Sequence, residues 1–230
     1  MSLTTGRGPL GRRPAGVFSA PMPDGVVYVE PYQRRIRGVV GGATVVDSER
    51  AVLVHRPGAL STYGFPAADV SGLASTPLTE APGFVTVAWD AVATWFEEDH
   101  EVVSHPRSPY HRIDILPTHR HLLVTHRADT VVDTTDTVVL YETGLAPRLY
   151  VAPEHVLPGI LERSETVTYC PYKGTATHWS ARVGDDLVAD AAWSYEDPFD
   201  ESLAIAGRFS FYDDKLTVST DLPPPVELHG

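Results

Sequence analysis

A hairpin between residues 176 and 195 constrains the fold more than any other part of the sequence. The segments ATHWSARV (176–183) and DLVADAAWSY (186–195) alternate apolar and polar residues, as strands with one buried face do. Gly184 and Asp185, which separate them, readily adopt the positive φ of a tight turn. The pattern predicts two antiparallel strands. Because side chains alternate along a strand, His178 and Trp179 are expected on opposite faces.

The five residues in front of this hairpin, from Cys170 to Gly174, are predicted to bend. Pro171 fixes its own φ and has no backbone N–H to donate, while Gly174 permits conformations that other residues avoid. The bend therefore gathers a thiol, a phenol and an amine, those of Cys170, Tyr172 and Lys173, where the chain enters a strand.

The composition favours short strands over long helices in the whole chain. Among 230 residues there are 20 prolines and 18 glycines, which favour turns. One helix is predicted over residues 90–98, because Trp89, Val92 and Phe96 recur with helical spacing. A further helical turn is expected within residues 153–164. We therefore expect a mainly β protein with one or two short helices.

An internal repeat is predicted to divide the chain. The segment TVVDSERAVLV at 44–54 returns as TVVDTTDTVVL 86 residues later, and GFVTVAWD at 83–90 resembles GRFSFYDD 124 residues later. These offsets differ by 38 residues, so the first copy is expected to lack the CPYKG hairpin and the chemistry to lie chiefly in the second. The predicted order is a disordered tail, a truncated first repeat, a linker, a complete second repeat and a C-terminal tail, at residues 1–24, 25–99, 100–118, 119–222 and 223–230.

The second half of the sequence resembles a known family. CPYKGTATHWS, followed by DAAWSYEDP and IAGRFSFYDDKLTV, is similar to the signature of the domain of unknown function 427 (DUF427) family, over roughly residues 120–221. The preceding half resembles the truncated first repeat of the family's two-repeat members. The resemblance implies two antiparallel β modules similar to the β-tent group. His178 and Arg208 depart from the family pattern, since both stand where an aromatic residue is expected.

The family sometimes carries a nucleotidyltransferase label, but this sequence gives no support for that activity. It contains no Gly-Ser or Gly-Gly pair followed by two spaced metal-binding carboxylates, and no glycine-rich phosphate loop.

Charge and composition disfavour several other functions. The chain has 18 basic and 30 acidic side chains, and the net charge of −12 opposes nucleic-acid binding. No apolar run approaches the ~20 residues that span a bilayer, and the start lacks the apolar core of a signal peptide, so we expect a cytoplasmic protein with no membrane partner.

The single cysteine can form neither an internal disulfide nor a multi-cysteine zinc site. No metal site is predicted, because His119 and His121 lack an evident third ligand. The sequence defines neither a cofactor nor an oligomeric state.

Three interpretations of the motif stay open. In the first, the protein binds a small acidic or planar molecule in a pocket of the second repeat, with Lys173 and a linker arginine holding an acidic group. In the second, it is a transferase or hydrolase whose nucleophile is Cys170, assisted by Lys173 or His178. In the third, the motif serves the fold or an interaction surface without any ligand. The ligand-binding residues predicted by the first interpretation are Tyr172, Lys173, Trp179, Asp190, Trp193, Tyr195, Arg107, His111 and Arg112.

Overall fold

The computed structural model describes residues 4–226, and short antiparallel strands dominate it. The prediction of a mainly β protein is confirmed. Chain contacts divide the described residues into two compact units, the first formed by residues up to 111 with 143–145 and the second by residues 112–142 with 146–226. Every helix among the described residues is a short 3-10 helix, and the ranges are Ala67–Asp69, Trp89–Ala91, Pro153–His155 and Asp200–Ile205.

The first unit contains nine strands in two sheets. The strands are β1 (Tyr28–Pro31), β2 (Ile36–Val40), β3 (Ala43–Ser48), β4 (Val52–His55), β5 (Thr62–Pro66), β6 (Ser75–Pro77), β7 (Phe84–Val87), β8 (Thr94–Glu97) and β9 (His100–Val102). One sheet has the order β1-β4-β5-β7-β6 and the other β3-β2-β8-β9. Buried residues from both sheets, including Ile36, Leu53 and Phe65, form one apolar core.

The helix predicted over residues 90–98 is wrong. The chain forms one 3-10 turn at Trp89–Ala91 and then strand β8, in which Trp95 and Glu97 are buried and Thr94 and Phe96 are only half-buried. This alternation has the period of a strand, and pairing with both β2 and β9 satisfies the backbone of β8. The helical spacing of the apolar residues was coincidental, because it spans a turn and a strand.

The second unit contains ten strands, also in two sheets. The strands are β10 (Ile113–Thr118), β11 (Leu122–His126), β12 (Asp129–Thr134), β13 (Thr137–Glu142), β14 (Arg148–Val151), β15 (Leu161–Cys170), β16 (Gly174–Val183), β17 (Asp186–Ser194), β18 (Phe209–Phe211) and β19 (Thr217–Thr220). A seven-stranded sheet has the order β10-β13-β14-β18-β17-β16-β15, and a three-stranded sheet has the order β12-β11-β19.

The middle strands of the seven-stranded sheet, such as β13, β14 and β18, are buried on both faces. We call one of them the core face, because its residues, such as Leu149 and Val151, share an apolar cluster with the three-stranded sheet. The opposite face carries a second cluster that includes Val138, Leu140 and Tyr150, and we call it the tyrosine face. Burial on two sides explains why Leu149, Tyr150 and Val151 are consecutive and all apolar or aromatic.

The predicted tails and linker contain more structure than their composition suggests. The first tail holds no strand in its described part, but Thr4 is buried and its hydroxyl donates to the Ala59 carbonyl at 2.5 Å. Residues 1–3 of that tail and residues 227–230 of the C-terminal tail lie outside the described residues. Within the predicted linker, β9 pairs with β8 of the first unit and β10 with β13 of the second.

Candidate functional site

The CPYKG segment forms the turn that joins β15 to β16. Gly174 has φ +93°, which explains why the position requires glycine. The Lys173 N–H donates to the Cys170 carbonyl at 3.3 Å, and the Lys173 carbonyl accepts the Phe199 N–H at 3.2 Å. These bonds fix the turn against the segment that follows β17, so the side chains of the motif have defined positions.

Register places four of the predicted site residues on the tyrosine face. His178 pairs with Trp193, and Cys170, Trp193 and Tyr195 all belong to or pack against the tyrosine-face cluster. Trp179 lies on the core face instead, where it packs against Phe209 with ring centroids 5.2 Å apart. Three aromatic residues that were predicted to contact one ligand are therefore divided between the two faces of the sheet: Trp179 on one, Trp193 and Tyr195 on the other.

Lys173 forms a buried ion pair that the sequence did not reveal. Its ammonium lies 2.5 Å from Oε2 of Glu142, at the end of β13, and the two side chains are 8% and 5% exposed. The ammonium also lies 5.8 Å from the ring centroid of Tyr195, and burial raises the pKa of that phenol. No local pattern marks Glu142, which is 31 residues away in sequence. The lysine is thus neutralised within the protein, although it had been predicted to face an acidic ligand.

His178 is buried on the tyrosine face and only partly satisfied. Its Nε2 lies 3.0 Å from the Thr168 hydroxyl, and its ring stacks on Tyr212 with centroids 6.0 Å apart. Its Nδ1 has no hydrogen-bond partner among residues 4–226. Burial lowers the pKa of His178, so the imidazole is neutral at pH 7.

The register separates His178 from the thiol of Cys170. Gly174 lies opposite Cys170, and His178 comes four residues later on the same strand. At a rise of about 3.3 Å per residue, the imidazole lies about 13 Å further along the sheet. A proton transfer needs direct hydrogen-bond distance or one bridging water, so this arrangement does not favour a Cys170–His178 pair.

Trp193 and Tyr172 are held by the fold. The Trp193 Nε1–H donates to the Tyr150 hydroxyl at 3.1 Å, and its ring centroid lies 4.5 Å from that of Tyr212. Tyr172 is 3% exposed within the turn. Tyr150 and Tyr212 were not predicted, since their roles depend on the order β14-β18-β17 in the sheet, which brings β14 and the end of β18 near Trp193.

Asp190 stabilises an irregular point in β17. Its φ is +49°, at a register shift in the pairing of β16 with β17. Its carboxylate accepts the hydroxyls of Ser164 at 2.5 Å and Thr166 at 2.9 Å. The Ser164 hydrogen bond is the main cause of a lowered pKa for Asp190.

The basic residues predicted to hold a ligand are distributed over both units. Arg107 and His111 belong to the first unit, where the Arg107 carbonyl accepts the Tyr32 hydroxyl at 3.3 Å. Arg112 belongs to the second unit, and its exposed guanidinium pairs with Asp114 at 2.7 Å.

A cavity of about 400 Å³ on the second unit contains Trp179. Its apolar part includes Leu157, Leu161 and Phe209 beside the indole ring. A volume of this size falls in the usual range for small-molecule sites. We call it the Trp179 cavity. It brings an aromatic ring of the predicted hairpin to a concave surface.

Two polar residues, Ser194 and Glu196, line the same cavity. The Ser194 hydroxyl is buried and has no hydrogen-bond partner in the described part of the chain. The Glu196 carboxylate accepts the Thr177 hydroxyl at 3.1 Å and pairs with Arg163 at 2.9 Å. Ser194 lies opposite Thr177 in the register, and Thr177 shares a face with Trp179 because the two are two residues apart on β16. Strand alternation could therefore have placed Ser194 on the face of Trp179.

A larger hollow of about 610 Å³ borders the Trp179 cavity at Leu157. Its lining includes the acidic side chains of Asp129, Asp133 and Glu154, and none of the predicted site residues. Its surface lacks the aromatic contacts that distinguish the Trp179 cavity.

Neither a metal centre nor a membrane-spanning helix emerges from residues 4–226. No group of three His, Cys, Asp or Glu side chains in that range could hold a metal ion. His121 instead lies 2.6 Å from Asp133. No helix in the same range is long and apolar enough to cross a bilayer.

Comparison with known proteins identifies one family. Residues 114–222 match the family model described as "Domain of unknown function (DUF427)". No curated protein matches the chain. The matched range extends from the first residues of β10 to just beyond β19, and so includes both sheets of the second unit.

Proposed function

We propose that the DUF427 domain, to which residues 114–222 of this chain belong, binds a small planar molecule in the Trp179 cavity. The single observation that carries the proposal is the lining of that cavity: an indole and a phenyl ring beside a buried hydroxyl without a partner. An unsatisfied buried hydroxyl carries a free-energy cost, which a hydrogen bond from a ligand removes.

The lining favours a neutral or cationic planar molecule over an acidic one. Trp179 and Phe209 offer ring surfaces on which a flat molecule can pack. Glu196 is the charged residue in the lining, and its carboxylate repels an anion. Lys173, which was predicted to hold an acidic group, lies outside this lining and is already paired with Glu142. Of the two expected ligand types, the cavity therefore supports the planar one.

A thermal-shift screen tests this proposal. A library of small heteroaromatic compounds is screened against the full chain, and each compound that raises the melting temperature is measured again with Trp179→Ala. We expect the shift to disappear, because the substitution removes the ring that forms one side of the cavity.

Trp193→Ala is the matched control, since Trp193 is on the same sheet but on the opposite face. The control should keep the shift. A ligand whose shift survives Trp179→Ala and disappears with Trp193→Ala would contradict the proposed location.

The covalent alternative depends on Cys170, which is a free, half-buried thiol on the tyrosine face. A nucleophilic role requires the thiolate, and His178 is too far along the sheet to take the proton directly. Alkylation of the folded chain at several pH values separates the possibilities. An enzyme of this type should show rapid modification of Cys170 at neutral pH, whereas a packing role predicts slow modification.

The third alternative is a stabilising motif without a ligand. The buried Lys173–Glu142 pair supports it. The pair links the CPYKG turn, at the edge formed by β15 and β16, to β13, which is next to the opposite edge strand. This role is compatible with a ligand in the Trp179 cavity on the other face.

We also propose that the two units are copies of one ancestral module. In support, β2 and β11 differ by 86 residues at both ends, as do β3 and β12. The bridge between Val46 and Val70 has a counterpart between Val132 and Val156 at the same offset. Beyond β7, the sheet of the first unit ends with the three-residue β6. Beyond β18, the sheet of the second unit continues with the long strands β17, β16 and β15. This difference fits the predicted loss of the CPYKG hairpin from the first copy.

A further inference from the structure

A chain of three hydrogen-bonding side chains lies in the first unit, whereas the proposed ligand site belongs to the second. The Ser61 hydroxyl lies 3.0 Å from Nδ1 of His55, and Nε2 of His55 lies 2.8 Å from Oε1 of Glu30. His55 is fully buried, Ser61 is 3% exposed and the Glu30 side chain is 16% exposed. We call these residues the serine relay.

The partners of Glu30 determine which nitrogen of His55 carries the proton. The Tyr110 hydroxyl donates to Oε2 of Glu30 at 2.7 Å, and the Tyr28 hydroxyl lies 3.4 Å from the same oxygen. An ionised carboxylate only accepts hydrogen bonds, so the Nε2 of His55 must donate to it. In the neutral ring, Nδ1 is then an acceptor, and the Ser61 O–H donates to it. The relay thus directs a base at the serine hydroxyl.

Aromatic rings shield the imidazole from water. Tyr28 stacks on His55 with centroids 5.6 Å apart, and the edge of Tyr110 approaches at 5.9 Å. The two rings hold the imidazole in one orientation. In a nucleophile–base–carboxylate triad, the carboxylate orients the base in the same way. Here Oγ meets Nδ1 and the carboxylate meets Nε2, so the two ring nitrogens are exchanged relative to the serine protease arrangement.

The serine also borders an aromatic cavity. Ser61 lines a hollow of about 120 Å³ together with Tyr63, Trp89 and Trp95. This volume equals that of about four water molecules at ~30 Å³ each. It suits an acetyl-sized acyl group and excludes large ones.

The strand pairing does not require the relay. In the first unit, Tyr28 of β1 lies opposite His55 of β4. In the second unit, β10 and β13 pair in the same antiparallel manner, with Asp114 opposite Tyr141 and no histidine at that place. A histidine, an acid and a serine in hydrogen-bonding order therefore need an explanation beyond the strand pair itself.

We propose that Ser61 is a nucleophile for acyl transfer from esters with a small acyl group. Ser61 Oγ attacks the carbonyl carbon while its proton moves to Nδ1 of His55. The tetrahedral adduct then expels the alcohol, which takes that proton. A water molecule next attacks the acyl-Ser61 carbonyl and gives a proton to Nδ1, and collapse releases the carboxylic acid and returns the proton to Ser61. Ester and water are the only reactants, and Glu30 keeps its charge throughout.

Methanesulfonyl fluoride tests the proposal, because it is small enough for the cavity and its adduct with an activated serine is stable. The full chain is incubated with the reagent, digested and mapped by mass spectrometry. Ser61 should carry the methanesulfonyl group, with fluoride released. Ser61→Ala should lose this adduct, and Glu30→Gln should slow its formation at least about tenfold, because the base is no longer oriented and stabilised.

Ser75→Ala is the control, since Ser75 is an exposed serine of β6 in the same unit and belongs neither to the cavity lining nor to the serine relay. It should react at Ser61 like the wild type. The proposal is overturned if Ser61 stays unmodified in a chain that melts cooperatively, or if Glu30→Gln reacts at the wild-type rate. Should Ser61→Ala fail to fold, the wild-type map and the Glu30→Gln rate still decide the outcome.

Discussion

Two buried side chains of the tyrosine face, Lys173 and His178, affect the free energy of unfolding and its dependence on pH. Lys173 was predicted at the rim of a pocket because it lies between Tyr172 and Gly174 in a turn. The prediction of a turn was correct. The environment of the amine, however, depends on Glu142, which the folded sheet places next to it. Local sequence patterns carry no information about such a partner. The sequence could therefore identify the important residue without predicting what it contacts.

The Lys173–Glu142 pair predicts an asymmetric effect on stability. Lys173→Met leaves the Glu142 carboxylate buried without its ammonium, so the free energy of unfolding should fall by about 3–5 kcal/mol. The double variant Lys173→Met/Glu142→Gln should lose less than Lys173→Met alone. Urea unfolding measures both. The exposed Arg35–Asp47 pair is the control, and Arg35→Ala should lower the free energy of unfolding far less than Lys173→Met does.

His178 predicts a pH dependence with a defined sign. Burial lowers the pKa of His178 in the folded protein below the ordinary value of 6.5. Below pH 6.5 the unfolded chain binds the proton first, so stability is lost as the pH falls from 6.5 towards the folded pKa. His178→Gln should therefore show a smaller loss of unfolding free energy between pH 7.5 and pH 5 than the wild type does.

At the scale of elements, alternation predicted strands well and helical spacing predicted a helix badly. The hairpin expected at 176–183 and 186–195 is β16 and β17, with ends that differ by at most two residues. The helix expected at 90–98 is a 3-10 turn followed by a strand. Long alternating segments with a glycine turn contain many consistent signals, whereas three apolar residues over eight positions fit either structure. Alternation predicted His178 and Trp179 on opposite faces, but it predicted neither that Trp193 lies on the face opposite to Trp179 nor which face has a cavity.

The two turns of the main hairpin predict different costs for the same substitution. Gly174 has φ +93°, outside the left-handed region that other residues can adopt, whereas Gly184 has φ +59°, within it. Gly174→Ala should lower the free energy of unfolding by about 1–3 kcal/mol, and Gly184→Ala by about 1 kcal/mol. Thermal and urea unfolding of the two variants make the comparison. Equal losses of unfolding free energy in the two variants would contradict the expectation that a side chain strains the backbone more at position 174 than at position 184.

At the scale of the whole molecule, chain contacts divide the described residues into two compact units, and the second begins at Arg112. The second repeat was predicted at 119–222, yet β10 (Ile113–Thr118) pairs along its full length with β13. Its composition, with a proline inside the strand, hides it from sequence inspection. An edge strand tolerates that proline, since one side of it has no strand neighbour in the sheet.

This boundary predicts the behaviour of fragments. A fragment of residues 112–226 contains both sheets of the second unit and should unfold cooperatively. A fragment of residues 119–226 lacks β10 and the packing of Ile113 and Ile115 on the tyrosine face. Its free energy of unfolding should be lower by about 2–4 kcal/mol, given about 1.5–3 kcal/mol for each large apolar side chain when fully buried. Circular dichroism during urea unfolding compares them, and equal stabilities would argue against β10 as part of this domain.

The four tryptophans of the chain allow one direct test of the proposed function. Protein labelled with 5-fluorotryptophan should give four fluorine resonances, which Trp→Phe variants assign. Planar compounds that raise the melting temperature are then titrated. We predict that they move the Trp179 resonance and leave those of Trp89, Trp95 and Trp193 in place. Binding that moves the Trp193 resonance, or those of the first unit, while Trp179 is unchanged would contradict a ligand site in the Trp179 cavity.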